Sequence, residues 1–141
     1  MNTWILCPNL WGARLFSTDN FNETPRFLRE LPRPKVQLRH EDFDTDEDIP
    51  ELTEDPRDHE AEVKVAEQYS TQLRDFLEKA NSQNSFDRLI ICAEKQFLSI
   101  LVEKLRDGAK AKLIGTVEED LYEVNETDLF GYVKDFKNKA A

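Results

Sequence analysis

The residue types best suited to chemistry form an acidic run between residues 40 and 55. Its alternating carboxylates are hard oxygen ligands of the kind that calcium prefers: Asp42, Asp44, Asp46 and Asp48. When the run is aligned with a calcium-binding loop, however, Glu47 stands where a glycine must turn the chain, and Thr53 where a bidentate glutamate belongs. The sequence therefore predicts no metal and no cofactor. It favours a solvated acidic loop over residues 40–55 that offers a surface to a partner.

The two histidines, His40 and His59, are the other candidates for catalysis. No nucleophile and acid stand near either of them in a pattern that indicates a triad. The interpretation is a protein that is not an enzyme. An uncharacterised hydrolase is an alternative, and it requires both histidines to share one pocket with Asp55 and Glu60.

The two cysteines, Cys7 and Cys92, each stand inside an apolar run. We expect both to be reduced and buried, as small hydrophobic residues of a cytoplasmic protein, with a disulfide between them as the alternative. The apolar run at residues 4–7 is too short for a signal peptide, and no basic region precedes it. No stretch is long enough to cross a bilayer, so contact with a membrane is not expected.

Charge divides this part of the chain into two segments of opposite sign. Six basic residues precede the acidic run: Arg14, Arg26, Arg29, Arg33, Lys35 and Arg39. A surface cluster of these side chains would make the protein a ribosome- or RNA-binding module, which is a second hypothesis for its function. The net charge of −10 opposes contact with phosphate backbones. Direct binding of nucleic acid is therefore not expected, whereas the ribosome remains an alternative partner.

Two tryptophans flank the first predicted turn. Trp4 lies in the first apolar run, and Trp11 follows the pair Pro8-Asn9. Together they predict an exposed apolar patch at one end of the sheet, of the kind that marks a partner surface. The alternative is that both indoles cover the first strand.

Hydrophobic periodicity predicts the elements that position these residues. Apolar runs predict strands at five places: residues 3–7, 13–17, 26–31, 89–93 and 111–117. Of these, 26–31 is expected at an edge, because prolines flank it.

Apolar residues three and four apart predict three helices. The first starts at Asp55-Pro56 and the second closes at Gly108, while Asn125 or Thr127 caps the third. The order of elements implies one α/β domain over residues 1–141, a mixed β-sheet with helices on both faces.

The order and spacing of short motifs along the chain resemble one bacterial family. The motifs are Thr3-Trp4-Ile5-Leu6, Ala13-Arg14-Leu15-Phe16, Asp55-Pro56-Arg57-Asp58-His59-Glu60-Ala61-Glu62, Phe86-Asp87-Arg88-Leu89-Ile90-Ile91-Cys92-Ala93 and Glu119-Asp120-Leu121. Over nearly its whole length the chain resembles the host attachment protein family, described as required for attachment to host cells. That family is similar to the middle domain of archaeo-eukaryotic peptide-chain release factors. The resemblance implies a ribonuclease H-like mixed sheet and a role linked to translation.

The chain departs from this family in its middle loop. Relatives have a loop rich in glycine and arginine, whereas residues 41–54 are acidic here. No two glycines are adjacent, so the Gly-Gly-Gln tip of release factors has no counterpart, and peptidyl-tRNA hydrolysis is not carried over. The leading hypothesis is a non-enzymatic cytoplasmic protein that acts through protein contacts, near the translation apparatus. Its contact surface would be the acidic loop or the end of the sheet that carries tryptophan.

Overall fold

A computed structural model describes residues 2–19, 22–32 and 59–134 of the chain. One five-stranded sheet runs through them, in the strand order β3-β2-β1-β4-β5. Its strands are β1 (Thr3–Pro8), β2 (Gly12–Thr18), β3 (Arg26–Pro32), β4 (Arg88–Cys92) and β5 (Leu113–Val117). β2 pairs antiparallel with β1 and β3, whereas β4 runs parallel to β1, and β5 parallel to β4. The predicted mixed sheet is confirmed, with β3 at an edge.

The centre of the sheet is apolar on both faces. All six residues of β1 are buried, as are four of the five residues of β4. Successive side chains of a strand point to opposite faces, so Trp4 and Leu6 join one core while Ile5 and Cys7 join the other. A strand covered on both faces has a continuous apolar run rather than an alternating one, as β1 and β4 do.

Three helices cover one face of the sheet: α1 (His59–Ser82), α2 (Lys95–Lys104) and α3 (Asp107–Lys112). The apolar stripe predicted for α1 packs against the sheet, with Leu73 and Leu77 among its buried members. The hydroxyl of Tyr69, on the same stripe, donates a hydrogen bond to the carbonyl oxygen of Leu31 and so joins α1 to the edge strand β3. The start predicted at Asp55-Pro56 lies outside the described residues.

The predicted closure of the second helix at Gly108 is wrong. α2 ends at Lys104, because Leu105 is extended and its N–H donates to the carbonyl oxygens of Leu101 and Val102. Gly108 lies instead inside α3, without the positive φ of a left-handed cap.

The physical reason for the break is a contact from another helix. The Glu78 carboxylate of α1 accepts a hydrogen bond from the backbone N–H of Arg106 at 2.9 Å. A side chain that satisfies a free amide at a helix start favours a new helix there. Because α3 continues to Lys112, the last strand begins at Leu113 rather than at residue 111.

The opposite face of the sheet is covered by α4 (Glu126–Val133). Its buried residues, Leu129 and Val133, pack into the second core. Of the two predicted caps, Asn125 and Thr127, the N-cap is Asn125, since its Oδ1 atom accepts a hydrogen bond from the Asp128 N–H at 2.8 Å. Helices thus lie on both faces of the sheet. None of the helices in the described ranges has the length and hydropathy that crossing a membrane requires.

Candidate functional site

A cleft lies where the carboxyl ends of the parallel strands β1, β4 and β5 meet. Its volume is about 240 Å³, and its lining residues are Asn9, Leu10, Trp11, Ala66, Glu94, Gln96, Phe97 and Asp120. The turn after β1, the start of α2, helix α1 and the loop after β5 all contribute to it. In open α/β sheets, ligands bind outside the carboxyl ends of the strands. We call this feature the carboxyl-edge cleft and treat it as the candidate site.

Trp11 lies on the turn between β1 and β2, and its side chain is 48% exposed. Asn9 shapes this turn. Its Oδ1 atom accepts hydrogen bonds from the backbone N–H groups of Trp11 at 2.7 Å and Gly12 at 3.1 Å. The Asn9 N–H in turn donates to the Gly12 carbonyl oxygen at 2.8 Å. These hydrogen bonds therefore fix the backbone of the turn, which places the indole of Trp11 at the cleft.

Two carboxylates line the cleft, and hydrogen bonds hold both of them. Glu94 is the N-cap of α2, and its Oε1 atom accepts from the Phe97 N–H at 2.7 Å. Asp120 accepts from the Tyr122 N–H at 3.1 Å through Oδ1, and from the Nδ2 of Asn9 at 3.4 Å through Oδ2. Among the described residues no basic side chain lines the cleft. The lining thus combines two positioned negative charges with apolar surface.

The expectation that both tryptophans form an exposed patch is wrong for Trp4. Trp4 is 8% exposed, and its ring stacks on the rings of Phe86 and Phe76 at centroid distances of 5.0 and 5.8 Å. The alternation of side chains along β1 turns Trp4 towards α1, where the helix covers it. Trp11 alone of the two is exposed, and its role in partner binding stays a prediction.

The three described arginines of the predicted basic cluster do not share one surface. Arg29 pairs with Leu15, whose side chain lies in the core under α1, whereas Arg14 points to the face of α4. The guanidinium of Arg29 lies 5.5 Å from the ring centroid of Phe76 on α1. Arg26 is exposed at the start of β3, and it pairs with Ser17, which lies on the same face of β2 as Leu15. The pleat of the sheet therefore separates Arg14 from the other two.

Arg14 has a structural role on the α4 face. Its Nη1 atom donates to the backbone carbonyl oxygens of Tyr122 at 3.1 Å and Val124 at 3.3 Å. Its guanidinium also lies 5.0 Å from the ring centroid of Phe27. These contacts hold the loop between β5 and α4, which carries Asp120 to the cleft.

Tyr122 fastens the same loop to the edge of the sheet. Its hydroxyl donates a hydrogen bond to Glu30 of β3, and this bond raises the pKa of the Tyr122 phenol above its usual value. A Cβ atom at Gly12 would lie 2.9 Å from the hydroxyl. The missing side chain at Gly12 therefore lets Tyr122 pass over β2 and reach β3.

The other predicted partner-binding residues lie outside the described ranges: Arg33, Lys35, Arg39, Asp42, Asp44, Asp46 and Asp48. The same is true of the whole acidic loop over residues 40–55, and of His40 and Asp55 of the hydrolase hypothesis. His59 and Glu60 form the start of α1. The roles of the acidic loop and of the basic residues therefore stay predictions.

The predicted burial of both cysteines is confirmed. Cys7 and Cys92 are free thiols without exposed surface, and they follow the paired residues Leu6 and Ile91 on adjacent parallel strands. A hydrogen bond between the two thiols, together with burial, raises the pKa of Cys7 well above its usual value.

We expect neither thiol to react with 5,5′-dithiobis(2-nitrobenzoate) in the folded protein at mildly alkaline pH, because the reagent needs an accessible thiolate. Both should react once guanidinium chloride unfolds the chain. The release of the coloured thiolate, followed over time, measures the reaction. Rapid release of one equivalent while the circular dichroism spectrum stays native would contradict the buried pair.

Sequence reasoning missed four polar residues of the cleft: Asn9, Glu94, Gln96 and Asp120. Each lies shortly after the end of a parallel strand, since β1 ends at Pro8, β4 at Cys92 and β5 at Val117. Parallel strands bring their carboxyl ends to one edge of a sheet. These residues could therefore have been predicted from their positions just after strand ends, but not from their spacing along the chain.

The family model described as "Protein required for attachment to host cells" matches residues 4–133 of the chain. The chain belongs to this family. The host attachment family expected from the sequence motifs is thereby confirmed. No curated protein matches this chain. Among solved structures it is similar to one described as "Archaeal protein", with 15% sequence identity and a TM-score of 0.42, over 99% of this chain and 40% of that chain. This chain thus spans less than half the length of that protein.

Proposed function

We propose that this protein is a non-enzymatic interaction module that binds a segment of a partner protein in the carboxyl-edge cleft. The observation that carries the proposal is the exposed indole of Trp11 beside the apolar wall that Phe97 and Leu10 contribute. Tryptophan supplies a large contact area and is enriched among the residues that dominate binding energy at protein interfaces. The segment would place an apolar group against this indole.

The chemistry of the cleft supports binding rather than catalysis. Its described lining consists of amide, carboxylate and apolar side chains, with no cysteine, serine or histidine among them to act as nucleophile or base. The carboxylates of Glu94 and Asp120 are already bonded to backbone amides, which is the arrangement of capping groups. Positioned polar groups beside apolar side chains are sufficient for a binding surface.

We include in this proposal a similarity of the fold to the middle domain of release factors. The strand order β3-β2-β1-β4-β5, in which β2 alone opposes the other strands, supports a ribonuclease H-like topology. We extend the proposal to a partner near the translation apparatus and to a cytoplasmic location, which the free thiols of Cys7 and Cys92 support. Attachment to host cells would then depend on this partner rather than on direct adhesion.

A pull-down from a lysate of the source organism, at low and at high salt, tests the proposal. The tagged baits are the wild type, Trp11→Ala and the control Tyr132→Ala, which removes an aromatic ring that is 43% exposed on α4 and away from the cleft. We expect one protein partner to be captured by wild type and control at both salt concentrations. Capture by Trp11→Ala should fall roughly tenfold or more, as for an interface hot spot.

Two results would contradict the proposal. Equal capture by Trp11→Ala and Tyr132→Ala would show that the partner binds elsewhere. Recovery of ribosomal RNA at low salt, with its release at high salt, would favour the rival hypothesis of a basic ribosome-binding segment.

A further inference from the structure

We infer that the carboxyl-edge cleft recognises an arginine side chain of the partner segment, an inference that rests on the function proposed above. The recognition elements are the carboxylates of Glu94 and Asp120, and the apolar surface of Trp11, Leu10 and Phe97. They come from three separate elements of the fold, which the parallel strands bring to one edge.

Charge is the first argument for a cationic ligand. Two carboxylates line the cleft, and no basic residue among the described ones offsets them there. The chain as a whole has a net charge of −10, so its field attracts cations and repels anions. A segment that carries a positive side chain therefore complements the cleft, whereas a phosphorylated or acidic segment does not.

The fixed geometry of the carboxylates is the second argument. Glu94 and Asp120 accept hydrogen bonds from the Phe97 and Tyr122 amides, and Asn9 donates to Asp120 as well. An ionised carboxylate has about four acceptor sites, so these contacts position each group and still leave sites for a ligand. A positioned carboxylate loses less side-chain freedom on binding than a mobile one.

The mixed lining selects arginine over a metal ion and over lysine. A divalent cation of the hard type takes six or more oxygen ligands, and no group of three or more potential metal ligands occurs among the described residues. A guanidinium group can bond a carboxylate through two N–H groups while its flat face stacks on an indole such as that of Trp11. The three-carbon stem of arginine covers apolar surface, as Leu10 and Phe97 provide.

The test is a selection of random heptapeptides displayed on phage against the full-length protein, with Trp11→Ala as the counter-selection. Enriched peptides are synthesised, and their binding is measured by fluorescence polarisation. Each peptide that contains arginine is also synthesised in two further forms. In one form citrulline replaces the arginine and keeps its shape but not its charge, and in the other form lysine replaces it.

The variants remove charge and keep the hydrogen bonds that the two carboxylates accept from backbone amides. Glu94→Gln keeps a side-chain oxygen for the Phe97 amide, and Asp120→Asn keeps one for the Tyr122 amide. The control Glu103→Gln makes the same change of net charge on an exposed residue at the far end of α2. That residue is about 13 Å from Glu94 along the helix axis.

We expect the enriched peptides to share an arginine. Each of Glu94→Gln and Asp120→Asn should weaken their binding about fivefold, within the range of partly exposed ion pairs, and the double variant more than either. Glu103→Gln should leave the affinity within about twofold of wild type. Citrulline should weaken binding more than lysine does.

The failures of the two proposals are distinguishable. Enriched peptides that depend on Trp11 but lack a cationic residue, or that bind Glu94→Gln and Asp120→Asn as well as wild type, would overturn the arginine inference and leave the interaction module intact. A selection that yields no peptide dependent on Trp11 would overturn both.

Discussion

Replacing Trp4 with alanine is expected to lower the free energy of unfolding by about 3–5 kcal/mol, the range observed when a buried aromatic side chain is truncated. Trp4 is buried between the sheet and α1, and its ring stacks on Phe86 and Phe76. The variant loses the transfer free energy of the indole and both ring contacts, and it leaves a cavity. Urea unfolding followed by circular dichroism measures the difference.

Trp11→Ala is the matched control for this prediction, since it removes the same side chain from the turn between β1 and β2. The indole of Trp11 is 48% exposed, so its removal should change the free energy of unfolding by less than about 1 kcal/mol. Similar losses in the two variants would contradict the assignment of Trp4 to the core and Trp11 to the surface. Trp4→Phe should recover part of the loss, because a ring remains between Phe86 and Phe76.

The sheet could be predicted from sequence because its strands carry their signal locally. Residues 89–93 form a continuous apolar run, and β4 occupies Arg88–Cys92 with both faces covered. The hairpin of β1 and β2 follows from apolar runs on either side of Pro8-Asn9, and prolines at either end of the third run placed it at an edge. These patterns need no knowledge of distant contacts.

The end of the second helix could not be predicted in the same way. The apolar residues from Phe97 to Leu105 are consistent with one helix that continues to a glycine cap. The break before α3 depends instead on the Glu78 carboxylate of α1, which accepts from the Arg106 amide. A window along the chain does not contain a partner that lies 28 residues away in sequence.

The candidate site was predicted only in part, for a related reason. The exposure of Trp11 follows from a turn, which is a local feature. The grouping of Arg14 with Arg26 and Arg29 rested on proximity in sequence, whereas the pleat sends Arg14 to the other face. A register shift between Leu15 and Phe16 also changes which β3 side chains oppose β2, and a periodic pattern does not show such a shift.

Replacing Leu121 with alanine is expected to lower the free energy of unfolding by about 2–4 kcal/mol and to loosen the wall of the cleft that carries Asp120. Leu121 is 2% exposed and packs in the second core with Leu129 and Val133. It is the buried residue of the loop between β5 and α4, whose other residues from 118 to 125 are exposed or half-buried. Without the buried Leu121 side chain, the loop should therefore open more often while the sheet stays folded.

Hydrogen exchange followed by NMR separates this local effect from a general loss of stability. The Tyr122 N–H donates to Asp120 and the Val124 N–H donates to the Leu121 carbonyl oxygen, so both amides report on the closed loop. Leu77→Ala is the matched control, because the Leu77 side chain on α1 is fully buried and its truncation removes the same atoms from the opposite core.

At equal losses of global stability, exchange at the Tyr122 and Val124 amides should rise more in Leu121→Ala than in Leu77→Ala. The peptides that bind the cleft should also lose more affinity for Leu121→Ala, since Asp120 is then no longer held in place. Equal exchange in the two variants would mean that the loop opens only when the whole sheet unfolds. The position of Asp120 would in that case depend on the contacts of Arg14 and Tyr122, whose side chains tie the same loop to β2 and β3.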